Sequence, residues 1–491
     1  MAKPETFSPA LLGVALESEA TKPAYQQLYE QVRDLILSGR LPTGARLPST
    51  RSYSKELGLS RTTLIAAYDQ LVSEGYLEAR RGAGIFVSQF SPEHLMLVNR
   101  AAPLVLPKPV AARRPLARPV PFAIRATSPA DFPGAEWARL LQKTWRGPIE
   151  SHFGEPHVEG HPDLKVAIAD HLRTWRGISC SEDQVVITSG SAESIDLISR
   201  VLCQPGDKVW LENPGYMPMR REIAEKGLEP VYVPIDREGM MVSRGVELAK
   251  SARMAITTPP RQFPLGMTMS LPRRLDLLDW ARSTGAWVVE DDYDSEFRYE
   301  GRPLAALMSM DETGRVLYLG SFSKVMFKSL RLGYLVVPPD LCGQFHNAHA
   351  DLGPQASSVA QPALAEFMTS GQFAAHIRRM RRLYARRRAL LLDQLLEKCS
   401  GLVTPQPANS GMHIVVSIMP RLSARHSDVE ICRTLHQAGI EAQALSSYYA
   451  AETSPGPAGQ GLLFGFSGFE EKELETSVSA LAATLLCLAE A

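Results

Sequence analysis

The sequence is poor in paired cysteines, has no long apolar run and carries no net charge. Its cysteines stand apart, without the spacing that binds zinc or forms a redox dithiol, and such usage is typical of a reducing cytosol. They are Cys180, Cys203, Cys342, Cys399, Cys432 and Cys487. No run is long enough to span a bilayer, and the first residues, MAKPETFSPALLG, lack the apolar stretch of a signal peptide. Basic and acidic residues balance at 53 each, which excludes a whole-protein field that attracts nucleic acid. We expect a cytoplasmic protein without a metal site, in which any nucleic-acid site is local.

The chain is long enough for more than one domain, since it has 491 residues and 45% hydrophobic content. No internal repeat is present, but the composition changes at residues 89–125. Prolines recur there, and the segment has a single acid, Glu93, against several basic residues. This composition favours an extended tether over an ordinary surface loop, which would be unusually long. We predict a head at 1–88, a linker at 89–125 and a body at 126–491.

The head shows the pattern of three helices followed by a hairpin. Leu28, Val32, Leu35 and Ile36 recur at helical spacing, which predicts a helix that ends at Gly39. Ser49 and Ser60 stand where N-caps of a short second and a third helix are expected. In the third helix, Leu64, Tyr68 and Leu71 should face inward, and the segment YLEARRGAGIFVSQ should form two strands with a glycine-rich tip.

In this arrangement, the polar first turn of the third helix could enter the major groove of DNA. Arg61, Thr62 and Thr63 form the first turn of the third helix, and arginine can bind guanine through a bidentate contact. The tip, with Arg80 and Arg81, would bring cations to phosphates or to the neighbouring groove. The alternative is a winged domain that contacts proteins instead of DNA.

The head resembles the winged helix-turn-helix of the GntR superfamily through LPSTR, LGLSRTTL, AYDQLVSEGYL and RRGAGIFV. The resemblance implies that Arg51 and Arg61 read bases or bind phosphates. Ile65 departs from the pattern, because some members carry a further arginine there. The DNA-binding residues predicted for the head are Ser49, Arg51, Ser60, Arg61, Thr62, Thr63, Arg80, Arg81 and Gly82.

The body alternates short β-rich runs with helical segments. The runs are QVVITSG, KVWLENPGY, PVYVPID, MAITTPP, AWVVEDDY, VLYLGSFSK and GYLVVP. Such alternation predicts an α/β domain with a mostly parallel sheet, whose ligands bind in the loops at the strand ends.

Three of these strand ends carry residues suited to one ligand. Gly190, Ser191 and Ala192 open a helix whose free N–H groups could hold a phosphate, although many strand–helix turns look alike. Asp291 and Tyr293 could contact a pyridinium nitrogen and a ring hydroxyl, or could form an ordinary acidic turn.

The third strand end carries a lysine. A desolvated lysine at a strand end, here Lys324, can form a Schiff base, whereas a lone lysine is usually a surface residue. Ser321, Ser323 and Arg331 lie near it in sequence and could bind a phosphate dianion. The combination predicts pyridoxal 5′-phosphate (PLP) as the cofactor.

Residues 126–491 resemble a fold-type-I aminotransferase. The resemblance implies that Lys324 forms the Schiff base with PLP, that Asp291 pairs with the pyridinium and that Tyr293 contacts the ring hydroxyl. It also places Tyr216 against the ring. The implied phosphate-binding residues are Gly190, Ser191, Ala192, Ser321, Ser323 and Arg331. A winged helix fused to such a body resembles the MocR subfamily of GntR regulators, to which VEDDYDSEFRY, SFSKVMFKSLRLGYLVVP and HIRRMRRLYARRR are specific.

The body departs from an aminotransferase at its substrate-binding positions. The segment 459–468 lacks the arginine that holds a substrate carboxylate, and Phe263 replaces an asparagine. Phe153 replaces a tyrosine that reaches the partner subunit, and Arg261, in place of a histidine, could be a substitute anion clamp.

We therefore expect a homodimeric transcription regulator that binds operator DNA and senses an amine, an amino acid or PLP. The alternatives are an active aminotransferase with a DNA-binding head, and a body that serves mainly as a dimeriser.

The segment 376–396 is rich in arginine. The arginines are Arg378, Arg379, Arg381, Arg382, Arg386, Arg387 and Arg388. They predict either a surface helix with local ion pairs or a positive band that contacts DNA phosphates, in which case reversing Arg381 and Arg382 should weaken binding.

Overall fold

The structure is a computed structural model, and it falls into two compact units, residues 1–114 and 115–491, which are described separately below. The described residues are 11, 14, 16, 22–81, 83–89, 120–124, 127–147, 154, 157–301, 304–353, 355–407, 409–451 and 459–490. The linker boundaries at 89–125 remain a prediction, because most of that segment lies outside these ranges.

The head consists of three helices and an antiparallel hairpin, as predicted. The helices are α1 (Ala24–Leu37), α2 (Thr50–Leu57) and α3 (Arg61–Ser73), and the strands are β1 (Leu77–Arg80) and β2 (Gly84–Val87). The Ser49 hydroxyl accepts the Ser52 N–H at 3.1 Å, and the Ser60 hydroxyl accepts the Thr63 N–H at 3.1 Å. Both predicted N-caps are therefore confirmed. They satisfy donors that a helix start otherwise leaves unpaired.

The head has its own apolar core. Leu28, Val32, Leu64, Tyr68 and Leu71 are all buried in it, which confirms the inward faces predicted for α1 and α3. The inward burial leaves the first turn of α3 facing solvent. The head is thus a small domain whose packing fixes the orientation of an exposed helix start.

The body is built on an eight-stranded mixed sheet in the order β3-β10-β9-β8-β7-β4-β5-β6. Its strands are β3 (Val185–Thr188), β4 (Lys208–Asn213), β5 (Glu229–Asp236), β6 (Gly239–Met240), β7 (Met254–Thr257), β8 (Trp287–Asp292), β9 (Val316–Ser321) and β10 (Gly333–Val336). All seven predicted strands are present, and β6 is an addition. The pairs from β5 through β4, β7, β8 and β9 are parallel. β10 is antiparallel to both β9 and β3, so the sheet is mostly but not wholly parallel.

Helices cover both faces of this sheet. The helices that the structure describes in the body are α4 (Gly134–Trp145), α5 (Pro162–Arg176), α6 (Ser191–Leu202), α7 (Met217–Glu225), α8 (Val242–Ala249), α9 (Leu271–Thr284), α10 (Cys342–Leu352), α11 (Gln361–Thr369), α12 (Gln372–Lys398), α13 (Pro420–Ser423), α14 (Asp428–Gln437) and α15 (Glu471–Glu490). Successive strand residues enter different cores: Val288 packs in one and Val289 in another. Burial on both faces explains why these strands are continuous apolar runs instead of alternating ones.

A second, antiparallel sheet lies near the C-terminus of the body. It contains β11 (Val403–Pro405), β12 (His413–Ile418), β13 (Gln443–Ala444) and β14 (Gly461–Gly465), in the order β11-β12-β14-β13. The sequence interpretation did not predict this sheet. Helices α12 and α14 pack beside it, and α15 packs against both of these helices.

The described residues also bear on cysteine chemistry and membranes. All six cysteines are free thiols. Within the described ranges, no three His, Cys, Asp or Glu side chains gather as metal ligands would. None of the helices that the structure describes is long and apolar enough to cross a lipid bilayer.

Candidate functional site

A cavity of about 310 Å³ opens where several strands of the large sheet end. Strands β3, β8 and β9 run in the same direction, so Thr188, Asp292 and Ser321 end at one edge of the sheet. Loops that follow these ends line the cavity. Its volume is in the range that binds a small molecule or a cofactor.

All ten residues that the sequence predicted as cofactor-binding line this one cavity. They are Gly190, Ser191, Ala192, Tyr216, Asp291, Tyr293, Ser321, Ser323, Lys324 and Arg331. They come from positions up to 141 residues apart in sequence, and the sheet brings them together. The structure thus brings the ten predicted residues to one place.

One part of the cavity has the groups that bind an anion. Helix α6 begins beside it at Ser191, and no side chain caps this helix start. Gly190, which precedes it, has φ = 137°, a region that favours glycine. Arg331 also lies in the left-handed region, with φ = 52°, which is uncommon for a side chain other than glycine. The open N–H groups of α6, the two serine hydroxyls and this arginine form a site suited to phosphate.

Lys324 lies in the loop between β9 and β10, and its side chain is half-buried. Its neighbours Phe322, Val325 and Met326 are buried in the core and anchor the loop. His376 of α12 also supports it, because its Nε2 lies 2.8 Å from the Val325 carbonyl. Burial lowers the pKa of His376 to about 4, so this histidine is a neutral donor. The lysine is therefore presented by a loop that is fixed on both sides of it.

The two adjacent aspartates of β8 face different surroundings. Asp292 lies 2.8 Å from Arg176 Nε and accepts the Tyr318 hydroxyl at 2.6 Å. Glu290 is on the same face and is 3.5 Å from Arg176. Asp291 points the other way, as strand geometry requires, and lines the cavity. The structure therefore assigns Asp292 to the internal charge network and leaves Asp291 for a ligand.

Asp291 is a poorly compensated carboxylate. No hydrogen bond from the described residues reaches its side chain. Burial, together with the carboxylates of Asp292, Glu212 and Asp294, raises its pKa to about 7. A cationic partner in the cavity would reverse this effect, because an opposite charge favours the ionised carboxylate. The site is thus suited to a protonated ring nitrogen.

Arg261 does not serve as the anion clamp that the sequence suggested. Its side chain is 2% exposed and does not line the cavity. It donates to the Ser410 carbonyl at 3.1 Å, to the His413 carbonyl at 3.0 Å and to the Tyr293 hydroxyl at 3.0 Å. Its guanidinium is thus held by groups of the protein itself and is buried, so it is not presented to a substrate carboxylate in the cavity.

Sequence reasoning missed several residues that line the cavity. They are Ser189, Thr258, Asp294, Leu319, Gly320, Lys328, Met412 and His413. Asp294 could have been found from its place in the segment DDYD. Met412 and His413 come from the start of β12, which had not been predicted, so no local signal identified them. Phe263 contacts Tyr216, Tyr293 and His413 edge-on, with ring centroids 5.5–5.9 Å apart.

In the head, some of the predicted DNA-binding residues are exposed, and others are held by contacts within the head itself. Arg51, Arg61 and Thr62 are exposed, and no acid of the described residues pairs with the two arginines. Arg80 is engaged instead: its Nε donates to Glu78 at 2.9 Å, and its guanidinium lies 4.7 Å from the centre of the Phe86 ring.

The rest of the predicted set is less uniform. Arg81 is exposed, Thr63 is half-buried, and Gly82 lies outside the described residues. Ser49 and Ser60 are N-caps, as described above. The exposed start of α3, together with Arg51, is therefore the surface of the head best suited to DNA.

The arginines of α12 are mostly held by the body. Arg387 is buried and donates to the Ser467 carbonyl at 2.6 Å, and Arg381 donates to the Glu296 carbonyl at 3.0 Å. Arg381 also stacks on Trp175, with its guanidinium 4.6 Å from the ring centre. Arg378 and Arg382 are exposed, without an ion pair among the described residues. Arg381 therefore does not belong to the positive band, which reduces to a stripe around Arg378 and Arg382.

Comparison with known proteins agrees with both units. A model of the family "Bacterial regulatory proteins, gntR family" matches residues 24–87, and one of "Aminotransferase class I and II" matches residues 135–456. The chain is 36% identical over 485 residues to the probable rhizopine catabolism regulatory protein MocR of Rhizobium meliloti, covering 97% of this chain and 96% of the relative. It is 33% identical to the pyridoxine biosynthesis transcriptional regulator PdxR of Corynebacterium glutamicum, covering 94% and 96%.

A solved structure shows the same fold. The kynurenine aminotransferase of Pyrococcus horikoshii, crystallised in complex with PMP, matches with a TM-score of 0.67 and 26% identity, over 80% of this chain and 93% of that one. Phe153, at which the sequence departs from aminotransferases, lies outside the described residues. The chain belongs to the MocR subfamily of GntR-type transcription regulators, with a helix-turn-helix head that binds DNA and a body of the aminotransferase class I and II fold.

Proposed function

We propose that the body binds PLP and that a small amine, an amino acid or PLP itself regulates DNA binding by the head. One observation carries the proposal: all ten residues that PLP would require lie around a single cavity. The family relation supports a regulator, and the fold is one in which the solved relative binds PMP.

The residues around the cavity fit each part of PLP. Lys324 would hold the aldehyde carbon, and Asp291 would hold the proton on the ring nitrogen. The helix start at Gly190 and the loop with Arg331 would bind the phosphate. Tyr216 and Phe263 would limit the ring's access to solvent. When bound, PLP would supply a carbon at which a primary amine could replace the amine of Lys324, which would be released, and this explains why an amine could act as the signal.

The fit is supported by an electrostatic observation as well as by position. In the absence of a cation, burial keeps the pKa of Asp291 near 7. A protonated ring nitrogen would compensate the buried carboxylate, and each would hold the other's charge in the low-dielectric interior. Asp291 thereby favours a ligand with a basic aromatic nitrogen over a neutral ring.

Regulation is favoured over enzymatic turnover. Residues 459–468 contain no arginine, and Arg261 donates to protein groups instead of to the cavity. The segment that usually supplies the carboxylate-binding arginine therefore has none, while the head supplies a function that an enzyme alone does not need. Catalytic aminotransferase activity is the second candidate, because the cofactor-binding residues themselves are complete.

We further propose that the protein acts as a homodimer in the cytoplasm, with two heads that read paired half-sites of an operator. Symmetric pairing of identical chains matches a repeated DNA sequence. The proline-rich composition of 89–125 would permit different half-site spacings.

Cofactor binding is tested by adding PLP to the purified full-length chain and recording the visible absorbance after dialysis. We expect a retained band in the wild type and none in Lys324→Ala. Borohydride treatment should fix the cofactor to the peptide that contains Lys324, as measured by mass spectrometry. Lys328→Ala is the matched control, since it removes a nearby lysine of the same loop. A Lys324→Ala variant that retains the band after dialysis and reduction would contradict the proposal.

The choice between regulator and enzyme needs two measurements on one preparation. DNA selected in vitro by the full-length chain should bind with an affinity that changes when PLP and a panel of amino donors are added. Multiple-turnover transamination of the same donors should be negligible. Rapid turnover without any effect of the donors on DNA affinity would favour the enzyme.

A further inference from the structure

Arg261 is a buried cation one residue removed from the cavity. It is 2% exposed and does not line the cavity, but it contacts three residues that do: Tyr293, whose hydroxyl lies 3.0 Å from Arg261 Nη1, Asp294 and His413. Burial by itself would lower the pKa of Arg261, but the neighbouring Tyr293 and Asp294 outweigh it and raise the pKa above its ordinary value. The guanidinium is therefore charged.

This contact fixes the direction of one hydrogen bond. A guanidinium can only donate, so the Tyr293 oxygen must accept from Arg261. The hydrogen on the Tyr293 hydroxyl then has to point elsewhere, and no acceptor for it is found among the described residues. Tyr293 lines the cavity, so the donated hydrogen is available to an oxygen of a bound ligand.

The residues around Arg261 form a close-fitting pocket for its guanidinium. A side chain at Gly411 would place its Cβ 2.1 Å from Arg261 Cζ, so only glycine leaves room there. His413 Nε2 lies 2.9 Å from the Pro264 carbonyl, which requires a hydrogen on Nε2. His413 Nδ1 then faces Arg261 Nη1 at 3.4 Å as an acceptor. The arginine is thus held by the start of β12 while it contacts Tyr293.

The charges around this point come from several elements. The charged and titratable side chains that line the same cavity are Tyr216, Asp291, Tyr293, Asp294, Lys324, Lys328, Arg331 and His413. Asp294 is the acid in contact with the guanidinium, at 3.6 Å from Nη1. Burial raises the pKa of Asp294 to about 6, although Arg261 and Lys324 oppose the effect. At neutral pH Asp294 is therefore mostly ionised, and it offsets much of the positive charge of Arg261.

We propose that Arg261 is a positioning residue that acts through Tyr293. It directs the Tyr293 hydroxyl hydrogen at the ring oxygen of bound PLP and places a positive charge behind that contact. The neighbouring Phe263 side chain has no donor to offer, so Arg261 and Tyr293 together supply the hydrogen bond. The inference rests on the proposed binding of PLP.

The positive charge predicts a change in proton affinity at Lys324. A nearby cation disfavours a proton on the lysine nitrogen of the PLP-loaded protein, because like charges repel. Replacing Arg261 by a neutral residue should therefore move the pH midpoint of the visible absorbance upward. We expect a shift of about one pH unit. This is at the lower end of the pKa shifts that a neighbouring charge causes, because Arg261 acts through an intervening residue.

The test titrates the visible absorbance of PLP-loaded wild type, Arg261→Gln, Arg261→Lys, Tyr293→Phe and the Gln/Phe double variant. Arg261→Gln and Tyr293→Phe should each raise the midpoint, and the double variant should shift by less than their sum. Arg261→Lys should retain part of the wild-type behaviour and keeps the test valid if Arg261→Gln folds poorly. Equilibrium dialysis against PLP gives a second readout, in which Arg261→Gln should weaken binding several-fold.

The matched control is Arg274→Gln. Arg274 is also buried and donates to the Met269 and Ala305 carbonyls, but it does not line the cavity or contact Tyr293. An equal midpoint shift in this control would overturn the inference, as would an unchanged midpoint in Arg261→Gln or fully additive shifts. If the wild type itself shows no PLP band, the proposed function fails together with this inference. A normal wild-type titration that Arg261→Gln does not alter refutes the inference alone.

Discussion

Replacing Asp291 with asparagine should stabilise the body in the absence of PLP and weaken its stabilisation by PLP. Burial raises the pKa of Asp291 from an ordinary value of 3.8 to about 7. The folded state therefore retains a proton on Asp291 at pH values where the unfolded state has lost it. The stability associated with this proton is complete below about pH 4 and is lost as the pH rises through about 7. Asparagine has no such dependence.

The expected size follows from the same two pKa values. Each pH unit between them is worth about 1.4 kcal/mol, so complete ionisation of Asp291 destabilises the fold by at most about 4 kcal/mol. Partial exposure to the cavity reduces this to about 2–4 kcal/mol. An unfolding entropy of about 2 cal/mol/K per residue, for a unit of this size, converts the difference into a rise of roughly 3–5 °C in the unfolding midpoint at pH 8.

The assay measures the midpoint of the thermal unfolding transition of the body in the full-length, cofactor-free chain. It is carried out at equal protein concentration between pH 4 and pH 8. Asp291→Asn should match the wild type near pH 4 and exceed it increasingly towards pH 8. With PLP added, the order should reverse, because the variant loses the partner of the ring nitrogen.

The neighbouring residue provides a matched control. Asp292→Asn should destabilise the body at pH 8, where Asp291→Asn should stabilise it, since Arg176 loses its ion-pair partner. A difference between Asp291→Asn and wild type that is absent at pH 8, or that does not vary with pH, would refute the account of Asp291.

Three other predictions concern the head, α12 and assembly. Arg61→Ala should weaken binding to the selected DNA by roughly 1–3 kcal/mol, with Arg51→Ala weaker too, while the visible absorbance of the PLP-loaded body stays unchanged; equal affinity for DNA would contradict this role. If the exposed stripe of α12 contacts phosphates, Arg378→Glu with Arg382→Glu should flatten the salt dependence of DNA binding, whereas reversing the engaged Arg386 alone should change it less. Sedimentation should give a dimer with or without PLP, and a monomer at the concentrations that bind DNA would exclude paired heads.

Much of the fold could be predicted because its signals are local. Ser49 and Ser60 are N-caps, and the apolar spacing of α1 and α3 directly indicates which faces are buried. The seven main strands of the body are short apolar runs between helical segments, so their presence was clear. The direction of β10 was not, because strand orientation depends on which strand it pairs with in the folded sheet.

Some residues of the candidate site could likewise be predicted from local sequence, and others could not. Lys324, Asp291 and Tyr293 stand in local motifs, whereas His413 and Met412 reach the cavity from β12, far away in sequence. The position of Arg261 suggested a clamp, but its role depends on Ser410, Gly411 and His413, which the fold brings to it. The same holds for Arg381 and Arg387 of α12, whose partners are backbone carbonyls of other elements.

The double aspartate of β8 has a consequence for strand alignment. A slip of one residue would exchange Val288 with Val289, Glu290 with Asp291 and Asp291 with Asp292. Each exchange replaces a side chain by a similar one, so the residues of the strand do not by themselves determine its register. Contacts with neighbouring residues must therefore determine the register of β8. The Tyr318 hydroxyl donates to Asp292 at 2.6 Å, and the Met308 N–H donates to Glu290 at 3.0 Å. Tyr318 thus helps to determine which aspartate reaches the cavity, although it never contacts a ligand there itself.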